Sequence, residues 1–365
     1  MSRTSRLVGI VFIGLLVVSA AFASGTTETK SQAAAAAPMT MDQLVAAAQK
    51  EGVLVSYGLP DDWVNYGGVR KILETKYGIK TMDTDMGSGE IISALKAERT
   101  APVADATDLG FNFATVVTAE KISQPYKNAH WDEIPAYAKE PGGLWAAAYW
   151  GAFAFTVNTD IVKNVPRTWD DLLKPEYKNM ITMKDPRESG TANMMVLAAA
   201  FAHGGSEKNV QPGLDFFKKL KAAGNIRPVS PSTSAIQKGE APIALFWDFD
   251  GLSRKFSLPM ASLQVVIPQD GTVAGMYIQF ITAGAPHPNV AKLLIETEYG
   301  DAGQIEYAKG FVHPIRKSVK LPADLAAKFP PDADYQAVHF VNDAAALGVA
   351  AEAIAKGWDE IAAMK

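Results

Sequence analysis

Small and hydroxyl-bearing residues stand where a helix must begin at Ser189-Gly190-Thr191-Ala192-Asn193, just after a strand-like run at 180–183. A helix start leaves backbone N–H groups free, and the helix dipole favours an anion or a polar atom placed against them. Gly87-Ser88-Gly89-Glu90 repeats the arrangement ahead of the helical run 91–99. Both places can grip a phosphate, phosphonate or carboxylate; each also reads as an ordinary water-facing cap. This is binding chemistry, not catalysis.

A second set of polar residues follows an apolar run in Ala244-Leu245-Phe246-Trp247-Asp248-Phe249-Asp250-Gly251. If the strand persists, its period of two puts Asp248 and Asp250 on one face and Trp247 and Phe249 on the other. Two acids at a strand's end suit an ammonium group or a metal cation; they also read as one cap of the next helix and one solvated acid. Asp61, Asp62 and Trp63 follow the first strand, where Trp63 can stack on an organic solute or sit over a cation. Tyr277 reads either as a ligand contact or as packing. The five histidines, at 130, 203, 287, 313 and 339, have no metal-ligand spacing. No Gly-x-Ser-x-Gly elbow, His-Glu-x-x-His or Lys-Ser/Thr-ending phosphate loop occurs, so no catalytic residue, metal ligand or cofactor is assigned.

The chain of 365 residues has no Cys, which removes thiol nucleophiles, disulfides and thiolate metal sites. Arg3 and Arg6, the apolar run 7–18 and Ala21-Phe22-Ala23 read as a signal peptide cleaved after Ala23. A lipid-anchored product would need Cys at that point. The formal net charge is −4, and loss of residues 1–23 removes two Arg and no acid. An acidic mature chain is a poor partner for nucleic acid.

These residues need a scaffold. Residues 24–38 read as a flexible tether, and Thr40 with Gln43 as a capping box for a first helix that Gly52 ends. Strands at 53–57, 79–83 and 104–111 alternate with helices at 69–76 and from Ser88. A β-rich stretch spans 144–158, and Thr168 is placed to cap a helix over 166–173. Strands at 180–183, 226–229 and 242–247 then alternate with helices at 191–203, 212–223 and 233–238. Further strands are expected at 265–268 and 278–283, with mostly helix beyond 289. Such alternation predicts α/β architecture with mainly parallel sheets.

A series of segments carries a family resemblance: Val157-Asn158-Thr159-Asp160, Pro166-Arg167-Thr168-Trp169-Asp170-Asp171-Leu172, Pro175-Glu176-Tyr177-Lys178-Asn179, Asp185 to Thr191, Val266-Ile267-Pro268-Gln269-Asp270-Gly271-Thr272, Gly284-Ala285-Pro286-His287-Pro288-Asn289-Val290-Ala291 and Gln304 to Arg316. In order and spacing the chain resembles periplasmic solute-binding proteins of ABC importers, type II, in the branch of ferric-iron, polyamine, thiamine and phosphonate binders. The resemblance implies two α/β lobes joined by two crossing strands and closing on one solute. Lobe 1 would comprise 39–147 plus 268–300, and lobe 2 148–267 plus 301–365. It further implies a monomeric periplasmic receptor, not an enzyme, that serves a permease and ATPase at the inner membrane. The expected ligand residues are Asp62, Trp63, Ser88, Gly89, Ser189, Gly190, Thr191, Trp247, Asp248, Asp250 and Tyr277. Ferric binders of the branch carry an adjacent Tyr pair where this chain has Phe249-Asp250, and Phe cannot ligate. A zwitterionic or phosphorylated organic amine is therefore expected, with a metal cation as the alternative and a sensor or enzyme as readings of another class.

Overall fold

Thr40 opens the fold by capping helix α1 (Met41–Glu51) in both directions: its Oγ1 accepts from Gln43 N at 3.3 Å, while Gln43 Oε1 accepts from Thr40 N at 2.9 Å. The computed structural model describes residues 39–259 and 262–364, so the expected signal segment 1–23 and tether 24–38 lie outside the described residues. Strand β1 (Val53–Tyr57), helix α2 (Tyr66–Tyr77), β2 (Lys80–Thr84), α3 (Ser88–Ala97), β3 (Ala106–Gly110), α4 (Ala114–Ala119) and β4 (Ser123–Gln124) follow. The long strand β5 (Ala146–Asn158) leads into β6 (Ile181–Thr182), α5 (Gly190–Ala202), α6 (Gln211–Ala222), α7 (Thr233–Gln237), β7 (Ile243–Trp247), α8 (Asp248–Ser257) and β8 (Leu263–Val266). A second long strand, β9 (Thr272–Thr282), precedes α9 (Pro288–Tyr299), α10 (Asp301–Lys309), β10 (His313–Pro314), α11 (Ala323–Ala326), β11 (Val338–His339) and α12 (Ala344–Ala363).

The strand order is β2-β1-β3-β9-β5-β7-β6, with β4 and β11 on β9 and with β8 and β10 on β5. β1 runs parallel to β2 and β3, and β6 runs parallel to β7. β5 changes partner half-way: residues 146–152 pair with β9, and residues 153–157 pair with β7. The parallel strands thus fall into two groups, joined through β5 and β9. Open α/β sheets present ligand residues beyond the carboxyl ends of such strands.

Burial locks the junction. Trp169 is fully buried and meets Phe153, Phe155, Phe216 and Phe217, while its Nε1 donates to the Gly271 carbonyl at 2.9 Å. Two expectations need correction. The helix expected over 166–173 is a 3-10 turn, Asp170–Leu173, because Pro175 starts a second short turn directly after it. Thr168 still acts as its cap, its Oγ1 accepting from Asp171 N at 3.1 Å. The strand expected at 226–229 reduces to one bridge between Ile226 and Ile181, since Pro228 has no N–H to continue a ladder. Among the described residues no helix is long and apolar enough to cross a membrane.

Candidate functional site

Two cavities adjoin beyond the strand ends. One of about 530 Å³ is bordered by Asp62, Trp63, Asp85, Asp108, Asp250 and Arg254. The other, of about 380 Å³, is bordered by Gly89, Ser189, Gly190, Thr191 and Trp247. Gly87, Ser88 and Tyr277 border both, so the pair forms one continuous cleft.

The loop after β1 is set by its neighbour. Gly58, at φ +79, turns the chain, and Asp83 Oδ1 on β2 accepts from Ser56 Oγ at 2.7 Å and from Leu59 N at 3.0 Å. Burial raises the Asp83 pKa, and these hydrogen bonds oppose the rise. The loop leaves Asp62 exposed and directs Trp63 inward, where its Nε1 donates to Asp108 Oδ2 at 3.2 Å and to the Tyr149 hydroxyl at 3.0 Å.

Each helix start is held differently. Ser88 is the first residue of α3, with Gly87 as its cap, and Ser88 Oγ accepts from Gly110 N at 3.2 Å, tying the helix to the end of β3. Ser189 caps α5, its Oγ accepting from Ala192 N at 3.3 Å. Gly89 and Gly190 are exposed, and a Cβ added at either would meet nothing within 4 Å, so there is open space beside both helix starts. Trp247 ends β7 at 2% exposure and packs over Gly275, where any side chain would enter its ring. Its Nε1 lies near the Tyr277 hydroxyl but makes no hydrogen bond of ordinary geometry.

The acids after β7 depart from the strand reading. β7 stops at Trp247 and α8 begins at Asp248, so Asp248 and Asp250 occupy a first helical turn and do not alternate across a strand. Asp248 is completely buried: Oδ1 accepts from Ala152 N at 2.9 Å and Phe249 N at 2.8 Å, and Oδ2 lies 3.2 Å from His313 Nε2 and accepts from the Tyr335 hydroxyl at 3.0 Å. It borders neither cavity. Asp250 does border the cleft and pairs with Arg254 at 3.0 Å; burial raises its pKa and Arg254 opposes the rise.

Asp108 was not among the expected site residues. It sits on β3 at 5% exposure, accepts from the Tyr149 hydroxyl at 2.8 Å, and also accepts from Gln279 Nε2. Burial pushes it up to about 7, against the pull of its hydrogen bonds. The signal available in the sequence was a pair of acids, Asp105 and Asp108, within the strand-like run Ala104 to Leu109, where a buried charge needs a reason. A further cavity of about 600 Å³, bordered by Lys184, Lys221, Arg227 and Trp358, touches the cleft through Glu188 and Ser189. It gathers one of the expected residues, Ser189; the cleft gathers ten.

Residues 108–345 match the family of bacterial extracellular solute-binding proteins. The chain belongs to that family. An uncharacterized Haemophilus influenzae protein is 30% identical over 251 residues, 64% of this chain and 69% of that one. A Salmonella typhimurium periplasmic protein provisionally named for binding 2-aminoethylphosphonate is 25% identical over 170 residues, 46% of this chain and 48% of its own length. Among solved structures, the periplasmic binding protein AfuA from Actinobacillus pleuropneumoniae, with fructose-6-phosphate bound, aligns at TM-score 0.67 and 25% identity, covering 86% of this chain and 100% of that one. The apo ferric ion-binding protein A of Pasteurella haemolytica aligns at TM-score 0.68 and 17% identity, covering 85% and 98%, and shares the fold. The fold of this solute-binding protein is that of type II periplasmic binding proteins. Its cleft can hold a cationic group among Asp62, Asp85 and Asp250 and an anionic group at the starts of α3 and α5.

Proposed function

We propose that this solute-binding protein captures a small zwitterionic or phosphorylated organic amine and delivers it to an ABC permease and its ATPase. The observation that carries the reading is the division of one cleft into an acidic half and a half built from two helix starts, joined at Ser88 and Tyr277. A solute with an ammonium at one end and a phosphoryl or carboxylate group at the other matches both halves at once. The relatives support this chemistry: one is named for 2-aminoethylphosphonate, and another holds a sugar phosphate.

Gripping requires two lobes, 39–147 plus 268–300 and 148–267 plus 301–365. Asp62, Trp63, Ser88, Gly89 and Tyr277 then close from the first, and Ser189, Gly190, Thr191, Trp247 and Asp250 from the second. A ligand that touches both sides shifts the hinge equilibrium toward the closed state. The protein acts as a monomer in the periplasm, after removal of residues 1–23, and does no covalent chemistry on its guest.

Isothermal titration of ligand-stripped protein against 2-aminoethylphosphonate, ethylphosphonate, fructose-6-phosphate, spermidine and ferric citrate tests the assignment. Tightest binding is expected for 2-aminoethylphosphonate, weakened by changes at Ser189 and Asp250. Tight binding of ferric citrate alone, indifferent to both residues, overturns it.

A further inference from the structure

Asp108 ties together three parts of the protein distant in sequence: the loop after β1, β5 and β9. Its Oδ2 receives the Trp63 indole from the loop after β1 and the Tyr149 hydroxyl from β5; its Oδ1 faces the Gln279 amide of β9. β5 and β9 are the two strands shared by both strand groups, and Trp63 borders the cleft. The surroundings are acidic or neutral from every side: Tyr66 on α2, Tyr149 on β5, Tyr277 on β9, and Glu298 and Tyr307 from α9 and α10. The cation bordering the same cavity, Arg254, is already paired with Asp250.

A buried carboxylate with no cation of its own carries a large desolvation cost. The structure also supplies a place for a proton. Gln279 Oε1 is buried with no donor facing it, while Gln279 Nε2 lies against Asp108 Oδ1 and 3.0 Å from the Tyr66 hydroxyl. Turning the amide over brings Oε1 to Asp108, where it accepts from a protonated Oδ1, and Tyr66 can donate to the same oxygen. Oδ2 stays free to receive Trp63 and Tyr149. Losing the proton breaks the Oδ1–H bond, sends the proton to water, and returns the amide to the orientation in which Nε2 donates.

We propose that Asp108 is a proton-operated positioning residue of the cleft: able to hold a proton in the empty protein, ionised when a cationic group lodges among the neighbouring acids, and in both states holding Trp63 against β5 and β9. The cationic half of this statement rests on the solute class proposed above; the proton on Asp108 does not.

The test therefore begins with the empty protein. Indole ¹H–¹⁵N resonances are followed from pH 5 to 9, with Trp63 assigned through Trp63→Phe. The Trp63 signal is expected to move with a midpoint of about 7 and to stay fixed in Asp108→Asn. Should that variant not fold, Tyr149→Phe removes one donor that stabilises the carboxylate and must shift the midpoint upward. A Trp63 signal that is still across the range, or that moves identically in Asp108→Asn, overturns the proposal. Titration calorimetry with 2-aminoethylphosphonate near pH 7, in buffers of different ionisation heat, then counts protons. Release on binding is expected, and binding without release overturns the coupling. If this probe does not bind at all, the solute assignment fails, and the empty-protein titration still decides the role of Asp108.

Discussion

The Phe249 ring meets the Trp63 indole edge-on, with centroids 5.5 Å apart and planes at 86°, while its face lies parallel to Trp247 at 6.1 Å. One side chain in the first turn of α8 thus joins the loop after β1 to the end of β7. Gly151 of β5 is what admits it, since any Cβ there would enter the ring. Phe249→Ala should cost about 3 kcal/mol or more of unfolding free energy, through lost burial and the cavity left behind. Gly151→Ala should cost roughly 1–3 kcal/mol by overpacking. Urea titration followed by tryptophan fluorescence measures both, and an unchanged midpoint for either contradicts the packing described.

Asp248 and Asp250 are two residues apart and should answer to different assays. Asp248 has both oxygens engaged inside the protein, so Asp248→Ala strands a buried backbone N–H, the Tyr335 hydroxyl and the His313 ring together. Its thermal midpoint should fall sharply, by the equivalent of about 3 kcal/mol. Asp250 borders the cleft, and Asp250→Asn should leave the midpoint nearly in place while weakening 2-aminoethylphosphonate about tenfold, or ~1.4 kcal/mol. Reversed outcomes, with Asp248 controlling affinity and Asp250 stability, would exchange the two roles.

Ser189 carries two functions that substitution can separate. As the cap of α5 its hydroxyl receives Ala192 N, and Ser189→Ala should cost about 1 kcal/mol of stability, Ser189→Gly only a few tenths. If the hydroxyl also meets the anionic end of the solute, both variants must lose phosphonate affinity alike. Affinity that follows stability, lost in Ala and kept in Gly, makes Ser189 a cap and nothing more.

Much of this arrangement is legible in the sequence. Thr40 with Gln43, and the left-handed Gly52, mark helix ends through local chemistry that needs no partner. The hydroxyl-rich starts at Ser88 and Ser189 were readable for the same reason. Asp248 departs from the strand reading because a run of apolar residues does not show where a strand yields to a helix; the helix starting at Asp248 turns its first carboxylate back toward β5, where it accepts from Ala152 N. Asp108 escaped notice because its meaning lies in Trp63, Tyr149 and Gln279, which are distant in sequence and brought together by the order of β3, β9 and β5.

That same cluster sets the pH dependence of stability. Burial pushes Asp108 up to about 7 and Glu298 up to about 8, and Glu298 Oε2 is buried with no hydrogen-bond partner to stabilise an ionised form. In the unfolded chain both groups return to the ordinary carboxylate range near pH 4. Between pH 4 and the native values the folded protein binds the protons and the unfolded chain does not, so stability falls as pH rises. Each group contributes at most about 1.4 kcal/mol per pH unit in that window, Asp108 ceasing near pH 7 and Glu298 near pH 8. Carboxylates held low by partners, such as Asp171 at about 2 and Glu133 at about 2, titrate on the acid side and leave the window undisturbed. The thermal midpoint should therefore decline steadily from pH 5 to 8 and then level off. Asp108→Asn should remove the part below pH 7, and Glu298→Gln the part that persists to pH 8. A midpoint that rises across this range, or a decline of equal slope in the double variant, would place the two protons elsewhere.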